Sequence, residues 1–371
     1  MRVLFIGPLP EPVTGQSLAC QVFLDELSRH AEVEVVNLSK AGFRQGVDSL
    51  RRIVEVLRIV WRAWRGSRRA DIVYFTIAES WAGHAKDLLV CLVCLDRLDR
   101  TVLHLHGGAG MRGILARPGP LRALNDFILR RIGAMVVLGR RLEGMYAGRV
   151  PTERLHVVPN FAPDELFTEP AAIRAKFDAT QPLRLLFLSN LLPGKGHEEL
   201  LTAFQSLSPT QRVRLRLDFA GGFESDADRD RFLARLLPHP ELRYHGTVRG
   251  AEKQALFAQA HLFCLPTYYP YEGQPISILE AYAAGCAVVT TDHSGIFDVF
   301  DPGVNGMAVE QRSVDSLRAA LQQALESPAE LERMALANLE RAQREFRVGT
   351  YNGRLLEVLR RVAQAAGSSA A

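Results

Sequence analysis

In the stretch YEGQPISILEAYAAGC two carboxylates stand eight positions apart, Glu272 ahead of an apolar run and Glu280 inside it. Pro275 and Gly285 bracket that run as proline and glycine commonly bracket a helix, one at its first turn and one just past its last. Glu272 is thus expected in a loop and Glu280 on the helix, with the helix N-terminus between them. At a rise of about 1.5 Å per residue the two carboxylates stand on the order of 10 Å apart, too far to share a proton. That span suits the two ends of a sugar nucleotide, and the unpaired N–H groups and positive dipole end between them suit a diphosphate. Spacing alone leaves a commoner arrangement open as well, with Glu272 answering the helix dipole and Glu280 on a solvated helix face.

Other residues of the chain have chemistry to offer. Lys195, in PGKGHEEL, falls in a strand-to-helix loop, where an ammonium reaches phosphate oxygens and steadies charge as a bond to phosphate breaks. A surface lysine fits the same position. His104 and His106 alternate along TVLHLHGG and so share one face of a strand, His106 at its carboxyl end and His104 deeper, as a core histidine would be. The loop from Gly7 to Gly15 lacks the G-x-G-x-x-G spacing of a dinucleotide site, which argues against a dehydrogenase. Gly15 would let the backbone approach a phosphate or an acceptor, though an ordinary loop reads the same way.

These residues need a frame, and the apolar runs supply one. RVLFIG, EVEVVNL, DIVYFTI, TVLHLH, AMVVLG and LHVVPN read as strands with helical patterns between them, the first helix from LACQVFLDELSRH. After the connector NFAPDELFTEPAA the same grammar restarts with LRLLFLSN, LRLDFAG, ELRYHGTV, HLFCLPT and CAVVTTD, and from about Leu317 the chain is helical to its end. The expectation is an α/β protein of two Rossmann-like, doubly wound domains. They span 1–165 and 166–345 and are followed by a helix over 346–371. Ligands of such domains bind beyond the carboxyl ends of the strands, so a cleft between two facing domains is the expected site.

Composition narrows the function classes. Five cysteines, odd in number and set mostly among apolar neighbours, read as reduced core thiols, Cys91 and Cys94 included. The opening run MRVLFIGPLP is too short for a signal peptide, and no run approaches a membrane span, so a cytoplasmic protein is expected. The net charge of +4 is local: Phe43 to Arg69 holds eight arginines against Asp48 and Glu55. Leu50, Ile53, Val54, Leu57, Val60, Trp61 and Trp64 recur at helical spacing there, so the segment 47–66 reads either as a peripheral membrane helix or as a domain helix packed on its sheet. The patch contains no nucleic-acid-binding module, so no nucleic-acid partner is expected.

Taken in order, GPLPEPVTGQS, HLHGG, VVPNF, PGKGHEELL and EGQPISILEAYAAGCAVVTTDHSGIFDVFDPGVNGM resemble the family 4 retaining glycosyltransferases of GT-B fold, along nearly the whole chain. The resemblance implies that Glu272 contacts hydroxyls of the donor hexose and Glu280 the nucleotide ribose. Gly273, Gln274, Pro275 and Ile276 form the donor loop and helix start, and Lys195 neutralises the leaving diphosphate. It places His106 near the transferred sugar and implies no metal and no cofactor beyond the nucleotide-sugar substrate. One departure stands out: where the family commonly has an arginine five residues before the lysine, this chain has Asn190, a neutral hydrogen-bonding candidate that supplies no charge. The function implied is metal-independent transfer of a hexosyl unit from a UDP- or GDP-sugar to a glycan or lipid-linked acceptor in surface polysaccharide synthesis, at the inner membrane face. A GT-B sugar-nucleotide epimerase and a catalytically silent glycan- or nucleotide-binding protein are the alternatives.

Overall fold

The computed structural model describes residues 1–11, 13–39, 49–178 and 182–368. By packing the chain divides into two units, Met1–Asn160 together with the segment from Gly349, and Phe161–Val348. The division falls five residues before position 165, and the last helix is counted with the first unit.

The first unit holds six parallel strands: β1 (Arg2–Gly7), β2 (Glu32–Asn37), β3 (Ile72–Ile77), β4 (Thr101–Leu105), β5 (Ala134–Val137) and β6 (Leu155–Val157). Their order across the sheet is β2-β1-β3-β4-β5-β6. The central strands β3, β4 and β5 are buried along their whole length, as continuous apolar runs covered on both faces should be. The first helix runs Gly15–His30, beginning three residues earlier than its apolar periodicity suggests. A capping box sets that start: Thr14 Oγ1 accepts from the Ser17 amide at 3.1 Å, and Ser17 Oγ accepts from the Thr14 amide at 2.8 Å. Gly15 is therefore the first helical residue, not the end of an open loop.

The Val348–Ser368 helix buries Tyr351, Leu355, Leu359 and Val362. Gly133 is required beneath it, because a Cβ there would lie 2.5 Å from Val362 Cγ1 and 2.4 Å from the Asp99 carbonyl oxygen.

The helix Ser49–Ser67 accounts for most of the basic segment; Val47, Asp48 and Arg44 lie outside the described residues. Its Ile59 and Ala63 are buried, but Ile53, Val54, Leu57, Trp61 and Trp64 are exposed. Packing on the sheet explains only part of its apolar content.

The second unit repeats the architecture with β7 (Leu183–Leu188), β8 (Leu215–Ala220), β9 (Leu242–Tyr244), β10 (Leu262–Leu265), β11 (Ala287–Thr291) and β12 (Gly306–Val309), all parallel. The order β12-β11-β10-β7-β8-β9 reverses direction between β7 and β10, and such a reversal is where an open α/β sheet leaves a crevice for ligand. The apolar core includes Leu185, Phe187, Phe219, Phe263, Leu279 and Tyr282. All five cysteines are free and buried.

Candidate active site

The crevice between β7 and β10 is formed by the two loops that leave those strands. After β7 the chain passes Asn190 and then turns through Gly194 (φ +93°) and Gly196 (φ +85°), which flank Lys195. Left-handed backbone on both sides favours glycine, and at Gly196 nothing larger fits, since a Cβ would lie 2.4 Å from the Pro266 carbonyl oxygen. The lysine loop is thereby pressed onto the exit of β10, and the helix His197–Gln205 follows it.

From that position Lys195 reaches the first motif glutamate. Its Nζ lies 2.6 Å from Glu272 Oε2 and 4.7 Å from the centre of the Tyr269 ring, a charge-assisted hydrogen bond with a cation–π contact beside it. Thr267 completes the group, donating from Oγ1 to Glu272 Oε2 at 3.1 Å. The Tyr269 amide donates to the same Thr267 oxygen at 3.2 Å. The loop beyond β11 braces the assembly: His293 Nε2 donates to the Tyr269 carbonyl at 2.8 Å, and the Gly295 amide to the Gly273 carbonyl at 3.0 Å. Glu272 and Gln274 are buried. A carboxylate, an ammonium and a hydroxyl are held together where β7 and β10 part.

The motif helix runs Ile276–Ala283 with Pro275 at its N-cap and no side-chain cap among the described residues. Gly285, at φ +64°, closes it, and a Cβ there would run into Ile173 Cδ1 at 2.2 Å. Glu280 is only 1% exposed, which removes the solvated-face arrangement that spacing left open. Its charge is met by Lys253 on the helix Gly250–Gln259, through an ion pair between Lys253 Nζ and Glu280 Oε1. The structure thus gives each motif glutamate its own lysine. Asn190 stays at the β7 exit, its Oδ1 about as far as 4.0 Å from a Cβ placed on Gly222, and it brings no charge to the crevice.

Lys253, Thr267 and Tyr269 were not among the residues singled out by sequence. One signal was available: only five of the 45 basic residues are lysines, and two of those five pair with the two motif glutamates. Lys253→Met is expected to lower the unfolding free energy by about 2 kcal/mol, somewhat less than a fully buried pair would lose because Lys253 is part-exposed. Urea unfolding of the variant beside the parent protein checks this.

His106 and Gly15 belong to the first unit. His106 follows β4, its ring nitrogens buried and without a hydrogen-bond partner among the described residues, and burial pushes its pKa down to about 3. Its ring centre lies 4.0 Å from that of His104, the two planes tilted by 34°. His104 is the deeper, bonded histidine: its Nδ1 lies 2.6 Å from the Tyr74 hydroxyl, and burial holds its pKa well below the usual range. Next to them Glu79, at the exit of β3, accepts from the amides of Gly108 at 2.6 Å and Gly110 at 3.1 Å. A Cβ on Gly107 would lie 1.1 Å from Glu79 Oε1, so any larger residue there would displace this carboxylate. This carboxylate fixes the loop behind His106, and sequence reasoning missed it.

Residues 170–341 match the family described as glycosyl transferases group 1, a stretch that carries Lys195, Lys253, Glu272 and Glu280. Among curated relatives, the MMP alpha-(1->4)-mannosyltransferase of Mycolicibacterium hassiacum is 29% identical over 199 residues, 53% of this chain and 46% of its own. The O-antigen chain mannosyltransferase B of Escherichia coli is 28% identical over 188 residues, 50% of this chain and 48% of its own. The matched stretch therefore spans about half the length of these relatives. Solved structures match along almost the whole chain. Anabaena HepE in complex with UDP has a TM-score of 0.70 at 18% identity, covering 97% of this chain and 99% of that one. WaaG, a glycosyltransferase involved in lipopolysaccharide biosynthesis, has a TM-score of 0.68 at 15% identity, covering 96% and 98%. The family suggested by the motifs is the family whose model matches residues 170–341, and the chain shares the GT-B fold of these solved structures.

Proposed function

We propose that this chain is a retaining, metal-independent hexosyltransferase that takes a UDP- or GDP-linked sugar and delivers the hexosyl unit to a glycan or lipid-linked acceptor. The observation that carries the reading is the pairing of Lys195 with Glu272 at the reversal of the second sheet, beside an uncapped helix start. In the structure the two charges hold each other in place. When donor binds, the ammonium turns to the diphosphate and the carboxylate to the sugar hydroxyls, so one ion pair is exchanged for two substrate contacts.

In the reaction the bond from the anomeric carbon to the diphosphate oxygen breaks and its electron pair leaves with the diphosphate. Lys195 and the N–H groups of the Pro275 helix end stabilise that charge. The acceptor hydroxyl attacks from the same face, and its proton passes to the departing phosphate oxygen. Glu280 holds the ribose. His106 lies in the first unit, and its buried ring is neutral. The names of the relatives, two mannosyltransferases among them, and the UDP complex of HepE support a nucleotide-sugar donor. The proposed place of action is the cytoplasmic face of a membrane, reached by peripheral contact through the basic helix.

The test is thermal unfolding of the protein with UDP-, GDP-, ADP- and dTDP-linked sugars, run beside Glu280→Ala. One nucleotide class is expected to raise Tm, by about 2.7 kcal/mol of stabilisation at a hundredfold excess over Kd, and the variant to lose that shift from its own lower baseline. No shift from any donor, with no binding by titration, overturns the reading.

A further inference from the structure

We propose that the outward face of the Ser49–Ser67 helix is a docking surface for an anionic lipid bilayer. This makes specific the membrane contact named above. It stands on the helix itself, independent of which sugar the second unit takes.

The orientation of the helix is fixed by what it buries. Gly66 packs so closely that a Cβ would lie 2.7 Å from Leu4 Cδ1 of β1. Ile59 and Ala63 are buried on the same side, and Arg62 donates from Nη2 to the Val35 carbonyl of β2 at 2.8 Å. With that side committed to the sheet, the rest of the wheel is determined. At about 100° per residue, Ile53, Val54, Leu57, Trp61 and Trp64 fall within one arc of roughly 100°, away from the sheet. Their exposures of 55, 55, 62, 52 and 42% show that no described part of the chain covers them.

An apolar strip with two tryptophans, left in water, marks a contact surface. Its borders indicate which. Arg58 and Arg65 fall on the adjoining arc and are exposed, and Glu55 is the one acidic residue on the helix. Arg65 stacks over Trp61 at 5.5 Å and Arg68 over Trp64 at 5.2 Å, so the cations sit at the height of the indoles. Indoles at the level of headgroups, aliphatic side chains beneath them and arginines beside them are the arrangement of a helix lying in a bilayer interface. A polyanion such as a nucleic acid or an acidic glycan would use the arginines and leave Ile53, Val54 and Leu57 in water. Lipid uses both. Among the described residues no helix is long and apolar enough to cross a membrane, so the contact is made from the surface.

The full-length protein is incubated with phosphatidylcholine vesicles, with and without phosphatidylglycerol, at low and high salt, and sedimented. Tryptophan emission is recorded in parallel. Binding to the phosphatidylglycerol vesicles with a blue shift is expected, weakened by salt. Trp61→Ser with Trp64→Ser should abolish it. Arg58→Gln, Arg65→Gln and Arg68→Gln together should weaken it about a hundredfold, the effect of three charges at an anionic surface. Both variants should keep the wild-type Tm and the nucleotide shift, since they change exposed positions away from the sheet and the crevice. The proposal is overturned by any of four results. These are no binding at low salt, binding equal in both variants, a dimer in solution that the tryptophan variant dissolves, or indoles already shielded from a soluble quencher without lipid.

Discussion

If the proposed mechanism holds, Lys195→Gln is expected to lower kcat/KM for the donor by about 10² to 10³, the usual loss when one preorganised group is removed from a developing oxyanion. The loss is expected mainly in kcat, because in that mechanism the charge that Lys195 meets is larger in the transition state than in the bound donor. The same change leaves Glu272 buried with Thr267 as its remaining side-chain donor, so unfolding free energy also falls, by about 2 kcal/mol. The two losses separate in Lys195→Gln with Glu272→Gln. Removing both charges restores most of the stability, because neither is left buried alone, while activity stays at or below that of the single variant. Steady-state kinetics and urea unfolding on the three proteins give the cycle. A double variant more active than Lys195→Gln would make the ion pair a structural brace and remove Lys195 from the reaction.

Mild acid is the second large effect. Burial pushes the pKa of His106 down to about 3 and those of His197 and His261 to about 4, against about 6.5 in an unfolded chain. The folded protein thus holds these rings neutral while the unfolded chain protonates them. The unfolded state binds more protons between pH 6.5 and 4, so the stability present above 6.5 is lost as pH falls through that window. Three rings give about three protons near pH 5, a slope of about 4 kcal/mol per pH unit. His84, His104 and His156 are lowered by burial too and add in the same direction. Asp87, whose carboxyl burial holds above the usual range, offsets a part. A fold of ordinary stability, about 5 to 15 kcal/mol, should therefore unfold between roughly pH 5 and 4. Tm measured from pH 7.5 downward checks this, and a Tm that stays flat to pH 5 contradicts it.

The architecture was legible because a parallel sheet buries both faces and so writes each strand as an unbroken apolar run, as in IVYFTI or AMVV. β12 escaped because it is four residues long and begins at Gly306, whose φ of +157° and close approach to the Val288 carbonyl reflect a tight entry, not a strand preference. In the site, the glutamates and Lys195 stood out through local spacing. Lys253 and Thr267 did not: Lys253 meets Glu280 from a separate helix 27 residues away, and Thr267 is a lone hydroxyl just past β10, while the meeting of Lys195 with Glu272, 77 residues apart, rests on β10 lying next to β7. Glu79 is hidden for the same reason, three strands from the start of the chain yet bonded to the loop after β4. The basic helix shows a different limit: periodicity reveals that it has an apolar face, but which way that face turns is decided by Gly66 against Leu4.

The return of the last helix to the first unit bears on how the protein is made. Tyr351, Leu355, Leu359 and Val362 complete the interior of a sheet whose strands are all made before residue 158. During translation the second unit has its whole chain in hand before the first does, so the part synthesised first is the part finished last. Until residues 351–362 have left the ribosome, the face around Gly133 and Tyr74 stays bare, and the nascent chain is open to chaperones and to proteolysis in its first unit.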